Sequence, residues 1–103
     1  MRLERLLAML DPQNEDAFIL FAIAKEYENK GDEATALSYY NKLVSTQPNY
    51  VGTYYHLGKL HERAQAFEAA VSVYEAGMAV AKVAKDQHAY NELAAAKFSL
   101  SDD

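Results

Sequence analysis

Histidine is the residue in this chain best suited to hold a metal, and there are three: His56, His61 and His88. Two zinc ligands on one helix face need a spacing of about four residues, as in His-Glu-x-x-His. His56 and His61 are five apart and diverge, and His61-Glu62 has no following histidine at the needed place. His61 therefore reads as a half-buried packing residue. Cysteine is absent, which removes thiolate zinc sites, disulfides and a cysteine nucleophile, and fits a reducing compartment. The paired carboxylates Glu26/Glu28 and Glu15/Asp16 offer acid–base chemistry only if burial raises the pKa of one member. Their places near helix ends and on polar faces predict ordinary solvated carboxylates. No glycine-rich phosphate loop, Gly-x-Ser-x-Gly elbow or Ser/His/Asp set is readable. The residues point to no enzyme, and no catalytic residue, metal or cofactor is expected.

Charge and length narrow the remaining classes. The chain has 103 residues, half of them apolar and 24% charged, with a net charge of −5. That is globular composition in an amount suited to one domain spanning 1–103. The basic footprint of a nucleic-acid binder is missing, so no nucleic-acid partner is expected. Near the N-terminus Glu4 and Arg5 interrupt the apolar residues, leaving only Leu6 to Leu10. A secretory core needs roughly 7–15 unbroken apolar residues and a spanning helix about 18. The expectation is a cytoplasmic protein with no membrane partner.

Whatever these residues do, helices position them. Only two prolines (Pro12, Pro48) and four glycines interrupt the chain, and Ala, Leu, Glu and Lys abound, all good helix formers. Leu3, Leu6, Leu7 and Leu10 predict one face of a first helix that Pro12 stops. A second helix, capped by Asp16 or Asn14, runs to about Asn29. Lys30-Gly31-Asp32 reads as a stop and a new cap. A third helix covers about 33–46, a fourth about 50 to 63–65, a fifth about 67–83, and a sixth about 87–100 with Asp86 as its cap. Ser101-Asp102-Asp103 reads as a solvated tail. The fold class is all-α.

The chain repeats itself at an offset of 34 residues. Lys25 falls on Lys59, Glu28 on Glu62, Ala36 on Ala70, Ser38 on Ser72 and Tyr40 on Tyr74. Small residues recur at Ala24/Gly58 and Ala36/Ala70, where two helix backbones can approach closely. Large residues recur at Leu20/Tyr54 and Tyr40/Tyr74, filling the space between paired helices. Tyr90, Leu93 and Ala94 repeat the spacing of Tyr54, Leu57 and Gly58. Of the eight tyrosines, most should pack between helices, and Tyr39, beside the core-facing Tyr40, is expected to be the exposed one. A surplus at the surface would favour a protein interface.

These residues resemble the tetratricopeptide repeat, a helix–turn–helix unit of about 34 residues. Residues 17–50 look like one repeat and 51–84 like a second. Residues 1–16 look like a preceding half repeat, and 85–103 like a capping helix and tail. The departures are Gly77 for the usual alanine, Lys82 for the usual proline, and Ala64-Gln65-Ala66, which lacks the glycine of the first turn. Gly77 reads as a close-contact point against the last helix. The whole chain is also similar to small free-standing bacterial repeat proteins. The resemblance implies a short right-handed α-solenoid of about six helices whose first helices line a concave groove.

On that resemblance, groove contacts fall on Phe18, Phe21, Lys25 and Asn29, then on Gly52, Tyr55, Lys59 and Arg63, with His56 beside them and Asn91 and Ala95 on the last helix. Lys25, Lys59 and Arg63 would place positive charge beside the flat apolar area of Phe21 and Tyr55. Such a surface suits a protein or peptide partner that is acidic and carries an apolar anchor. The competing expectation is that Phe18, Phe21 and Tyr55 pack against neighbouring helices. The family's two-carboxylate clamp is not expected, because Phe21 stands where its lysine would be, Lys25 at one asparagine and His56 at another. The second functional expectation is self-association as a homodimer or scaffold, through the Leu3/Leu6/Leu7/Leu10 helix or the Tyr90/Leu93 helix.

Overall fold

The structure is a computed structural model that describes residues 2–100. Six α-helices and no strand occur among them: α1 (Arg2–Met9), α2 (Ala17–Asn29), α3 (Glu33–Thr46), α4 (Gly52–Arg63), α5 (Phe67–Ala84) and α6 (Gln87–Phe98). The chain divides into two compact units, Met1–Tyr50 and Val51–Asp103. The division falls where the 34-residue period begins its second copy. The tail expected at 101–103 lies outside the described residues.

In the first unit α2 and α3 pair as a hairpin and α1 packs on α2. Leu3 and Leu6 bury against Ala22 and Ile23, with Leu10, Ile19, Tyr27 and Tyr39 packed around them. Two expectations change here. Leu7 is 37% exposed, so the buried face of α1 is Leu3 and Leu6, with Leu10 half-buried just past the helix end, rather than all four leucines. Tyr39 is half-buried, not exposed, because its ring stacks on Tyr27 at 5.7 Å and 15°.

In the second unit α4 and α5 pair, and α6 packs on α5 and touches α4. The small residues lie at the predicted tight points: Ala24, Ala36 and Ala70 have no exposed surface and Gly58 is buried. A Cβ added to Gly58 would be driven into the ring of Tyr74. A Cβ on Gly77 would lie 2.5 Å from Tyr54 Cβ and 3.0 Å from Leu93 Cδ1. Gly77 is thus a close-contact point against α6, as expected, and equally against α4.

Each hairpin carries the same cross-link. The buried Tyr40 hydroxyl donates to Glu28 Oε1 at 2.6 Å, and the buried Tyr74 hydroxyl donates to Glu62. Glu28 is therefore not the solvated carboxylate that its sequence neighbourhood predicts. A buried phenol needs a partner, and a carboxylate acceptor makes the bond stronger than a neutral one would.

Three helix ends share one turn. The N–H of Asp32 bonds the carbonyl of Tyr27, that of Ala66 the carbonyl of His61, and that of Asp86 the carbonyl of Ala81, each at 2.9 Å. This six-to-one closure needs a left-handed residue just past the helix. Gly31 supplies it with φ 86°, whereas Gln65 (φ 61°) and Lys85 (φ 60°) supply it with a side chain attached. The second turn therefore forms without its glycine. Asp32 and Asp86 also cap the helix that follows, accepting from Thr35 N at 3.2 Å and Ala89 N at 3.0 Å. Ala66 holds nearly the same dihedrals as Asp32 (φ −91°, ψ 68° against φ −90°, ψ 74°) but has no side-chain acceptor.

The second turn is therefore locally under-stabilised. Gln65→Gly should raise unfolding free energy by about 0.5–1 kcal/mol, and Ala66→Asp by about 1 kcal/mol through the new cap. Urea denaturation should show both midpoints move up at unchanged slope. A lowered midpoint for Ala66→Asp would mean that the cap geometry is not available there.

Candidate functional site

The first-helix residues singled out by the sequence distribute unequally in the first unit. Phe18, in the first turn of α2, is 60% exposed. Asp16 starts that turn by accepting from Phe18 N at 2.8 Å and Ile19 N at 3.4 Å. Phe21 is half-buried between two rings, with centroids 5.6 Å from Tyr50 and 6.1 Å from Tyr40. Part of its apolar area thus serves the hairpin itself. Lys25, one turn on, is half-buried, and Asn29 closes the helix in solvent.

The second unit repeats the pattern with more contact between the members. Lys59 Nζ sits 5.5 Å from the Tyr55 ring centroid, within reach of a cation–π attraction. The same ammonium lies 3.5 Å from Glu62 Oε2, the carboxylate that accepts the Tyr74 hydroxyl. His56 meets the Tyr55 ring edge-on at 5.7 Å. Gly52 and Arg63 are exposed at the two ends of α4.

Between α4 and α6, Tyr55, Lys59, Glu92, Ala95, Ala96 and Ser99 line a cleft of about 330 Å³. The fold therefore brings Tyr55, Lys59 and Ala95 together. It leaves His56, Arg63 and Asn91 outside the lining, and Asn91 Oδ1 accepts from Gln87 Nε2 at 2.8 Å. Glu92, Ala96 and Ser99 join the lining without being among the sequence candidates. Glu92 could have been flagged by its helical spacing from His88, to which it approaches within 3.4 Å. Nothing in the sequence singles out Ser99.

The remaining candidate chemistry resolves into structural pairs. Glu15 bonds Lys42 at 2.8 Å, and Glu26 meets Arg2 at 3.2 Å. Among the described residues no group of three or more His, Asp or Glu side chains could hold a metal ion. The phenols are the groups whose protonation the fold alters. Burial, then the hydrogen bond to Glu62, then the charges of Glu62 and Tyr55 hold Tyr74 far above the usual tyrosine range. Burial raises Tyr54, and burial with the nearby Asp16 charge raises Tyr50.

Comparison with known proteins bears on what such hairpins belong to. A family model described as tetratricopeptide repeat matches residues 19–50. A crystal structure of a tetratricopeptide repeat domain protein from Salinibacter ruber is 41% identical, covers 84% of this chain and 96% of its own, and superposes with a TM-score of 0.80. The chain belongs to the tetratricopeptide repeat family. A solution structure of a tetratricopeptide repeat domain protein from Salinibacter ruber gives a TM-score of 0.83 at 41% identity, covering 88% of this chain and 90% of that one. A tetratricopeptide repeat-containing protein of Pseudomonas aeruginosa is 29% identical over 93 residues, 90% of this chain and 89% of the relative. Tetratricopeptide repeats generally mediate protein–protein interaction, presenting stacked helices as binding surfaces.

Tyr74 makes the stability of this tetratricopeptide repeat protein pH-dependent on the alkaline side. Its folded pKa is raised, so its contribution is whole below the unfolded value of about 10 and drains away as pH climbs above it. Urea midpoints should fall between about pH 9 and about pH 11. Tyr74→Phe should be less stable at neutral pH but show a shallower fall, with Tyr50 and Tyr54 supplying the slope that remains. An unchanged slope in Tyr74→Phe would reject the assignment.

Proposed function

We propose that the chain is a non-catalytic interaction module that holds an acidic peptide or helix with an aromatic or aliphatic anchor on its first-helix surfaces. The observation that carries this reading is the Lys59 ammonium poised over the Tyr55 ring at the edge of the α4–α6 cleft. A cation and an apolar face side by side suit a partner carboxylate next to an apolar side chain. The first unit offers the matching aromatic and lysine at Phe21 and Lys25, with the exposed Phe18 at the start of the same helix. On this reading Phe18, Phe21, Lys25 and Asn29 form one contact surface. Tyr55, His56, Lys59, Arg63 and Asn91 form the other. The protein would work in the cytoplasm; no described helix is long and apolar enough to cross a membrane.

A second reading, self-association, is favoured by apolar side chains left on two outer helices. Leu7 (37%) and Met9 (62%) are exposed on α1, and Phe98 (76%) on α6. Sedimentation of the purified chain distinguishes the two: a monomer at high micromolar concentration removes this reading and leaves the first intact.

The peptide reading is tested with an array of acidic peptides of about 12 residues, each carrying one Phe or Leu. Binding should weaken as salt rises. The triple variant Lys25→Glu, Lys59→Glu, Arg63→Glu should lose it with helical circular dichroism unchanged, whereas reversing Arg5 and Lys30 instead should leave it in place. Equal binding by the triple variant removes these residues from the site.

A further inference from the structure

The lysines of the second unit fall into two classes. Lys59 and Lys97 are matched, to Glu62 at 3.5 Å and Glu75 at 2.8 Å. Lys82 and Lys85 make no ion pair with any described carboxylate. In a chain with net charge −5, two neighbouring cations with no ion pair to a described carboxylate stand out. Both line a cavity of about 270 Å³ at the α5–α6 turn, together with Ala81, Asp86, Gln87 and Tyr90. The two polar neighbours are partly engaged: Asp86 Oδ1 accepts from Ala89 N at 3.0 Å, and Gln87 Nε2 donates to Asn91 at 2.8 Å. Two lysines against the one carboxylate of Asp86 leave the lining with a net positive charge, and the ammonium N–H donors have no described carboxylate committed to them.

Two further features bear on the site. Lys85 occupies the left-handed position past α5 with φ 60°, the place that Gly31 fills past α2. A lysine there costs about 1 kcal/mol that glycine would not, a cost that Gln65 also bears past α4. Tyr90 repeats the place of Tyr54 in the Tyr-x-x-Leu spacing, yet Tyr54 is 3% exposed beneath Gly77 while Tyr90 is only half-buried. Its ring is left as an apolar wall beside two cations.

We propose that this cavity binds a small organic anion. Its carboxylate or phosphate oxygens would be held by Lys82 and Lys85, and its apolar body would lie against Tyr90 and Ala81. Both lysines bring mobile, multiply donating heads that accept an oxyanion of either shape, and the ring adds contact area that an inorganic ion does not use. The site shares no lining residue with the α4–α6 cleft, so it stands or falls separately from the peptide reading.

The test is an amide NMR titration of the full chain with inorganic phosphate, phenyl phosphate and phenylacetate. Saturable shifts should centre on Lys82, Lys85, Asp86 and Gln87. Phenyl phosphate should bind several-fold more tightly than inorganic phosphate, and comparison with phenylacetate identifies which oxyanion is preferred. Lys82→Gln should weaken binding by about tenfold. Lys85→Gly should weaken it similarly while raising the urea midpoint, because the backbone strain is relieved, so the loss cannot be ascribed to unfolding. No saturable shift with any probe up to about 10 mM, or shifts that persist in the Lys82→Gln, Lys85→Gly double variant, would overturn the proposal.

Discussion

A tyrosine ring pressed onto a residue too small to resist it is the contact on which the second hairpin depends. In the second unit the ring of Tyr74 fills the space where a Gly58 side chain would stand. In the first, Tyr40 is equally devoid of exposed surface. Close backbone approach lets the two helices of a hairpin exclude water along their shared face, and dense packing makes every added methylene there costly. Burying a phenol would itself be unfavourable if its hydroxyl were orphaned. Glu28 and Glu62 prevent that, each reached by a tyrosine twelve residues later in the chain.

The same cross-link organises the surface. Glu62 holds the Tyr74 hydroxyl on one side and lies near the Lys59 ammonium on the other. Lys59 is thereby tied to the interior of the hairpin while its head stays over Tyr55. A lysine held in this way loses less freedom on meeting a partner than one waving in solvent. Charge and apolar area are presented together because a core bond sets where the charge can go.

The turns show how much variation the framework tolerates. Gly31, Gln65 and Lys85 adopt one backbone conformation with three unlike side chains. Tertiary contact, not local preference, closes the second and third turns: helices already held by Tyr74 against Gly58 and by Leu93 against Gly77 leave the chain little alternative. Departures from the best local residue at these turns are small costs absorbed by the packing. They are also places where side chains can be kept for other purposes.

The amino-acid sequence by itself determined the helices, the 34-residue period, the aspartate caps at residues 32 and 86, and the interior places of Ala24, Ala36, Ala70, Gly58 and Gly77; the choice of Asp16 over Asn14 as a cap came from the structure. Each sequence-determined feature follows from residue type at fixed spacing along one helix, or from one helix end, so no knowledge of neighbours is needed. Glu28/Glu62 and Tyr40/Tyr74 were visible as recurring pairs, yet that each glutamate bonds the tyrosine was not, although the equal separation in both copies was the available signal. Tertiary structure alone decided that bond. It also decided the exposure of Leu7, the stacking of Tyr39 on Tyr27, the half-burial of Phe21 between rings, and the entry of Glu92 and Ser99 into a cleft with Lys59. These depend on how far one helix is rotated and shifted against the next. A shift of a fraction of a turn changes every cross-helix partner while leaving the sequence pattern untouched.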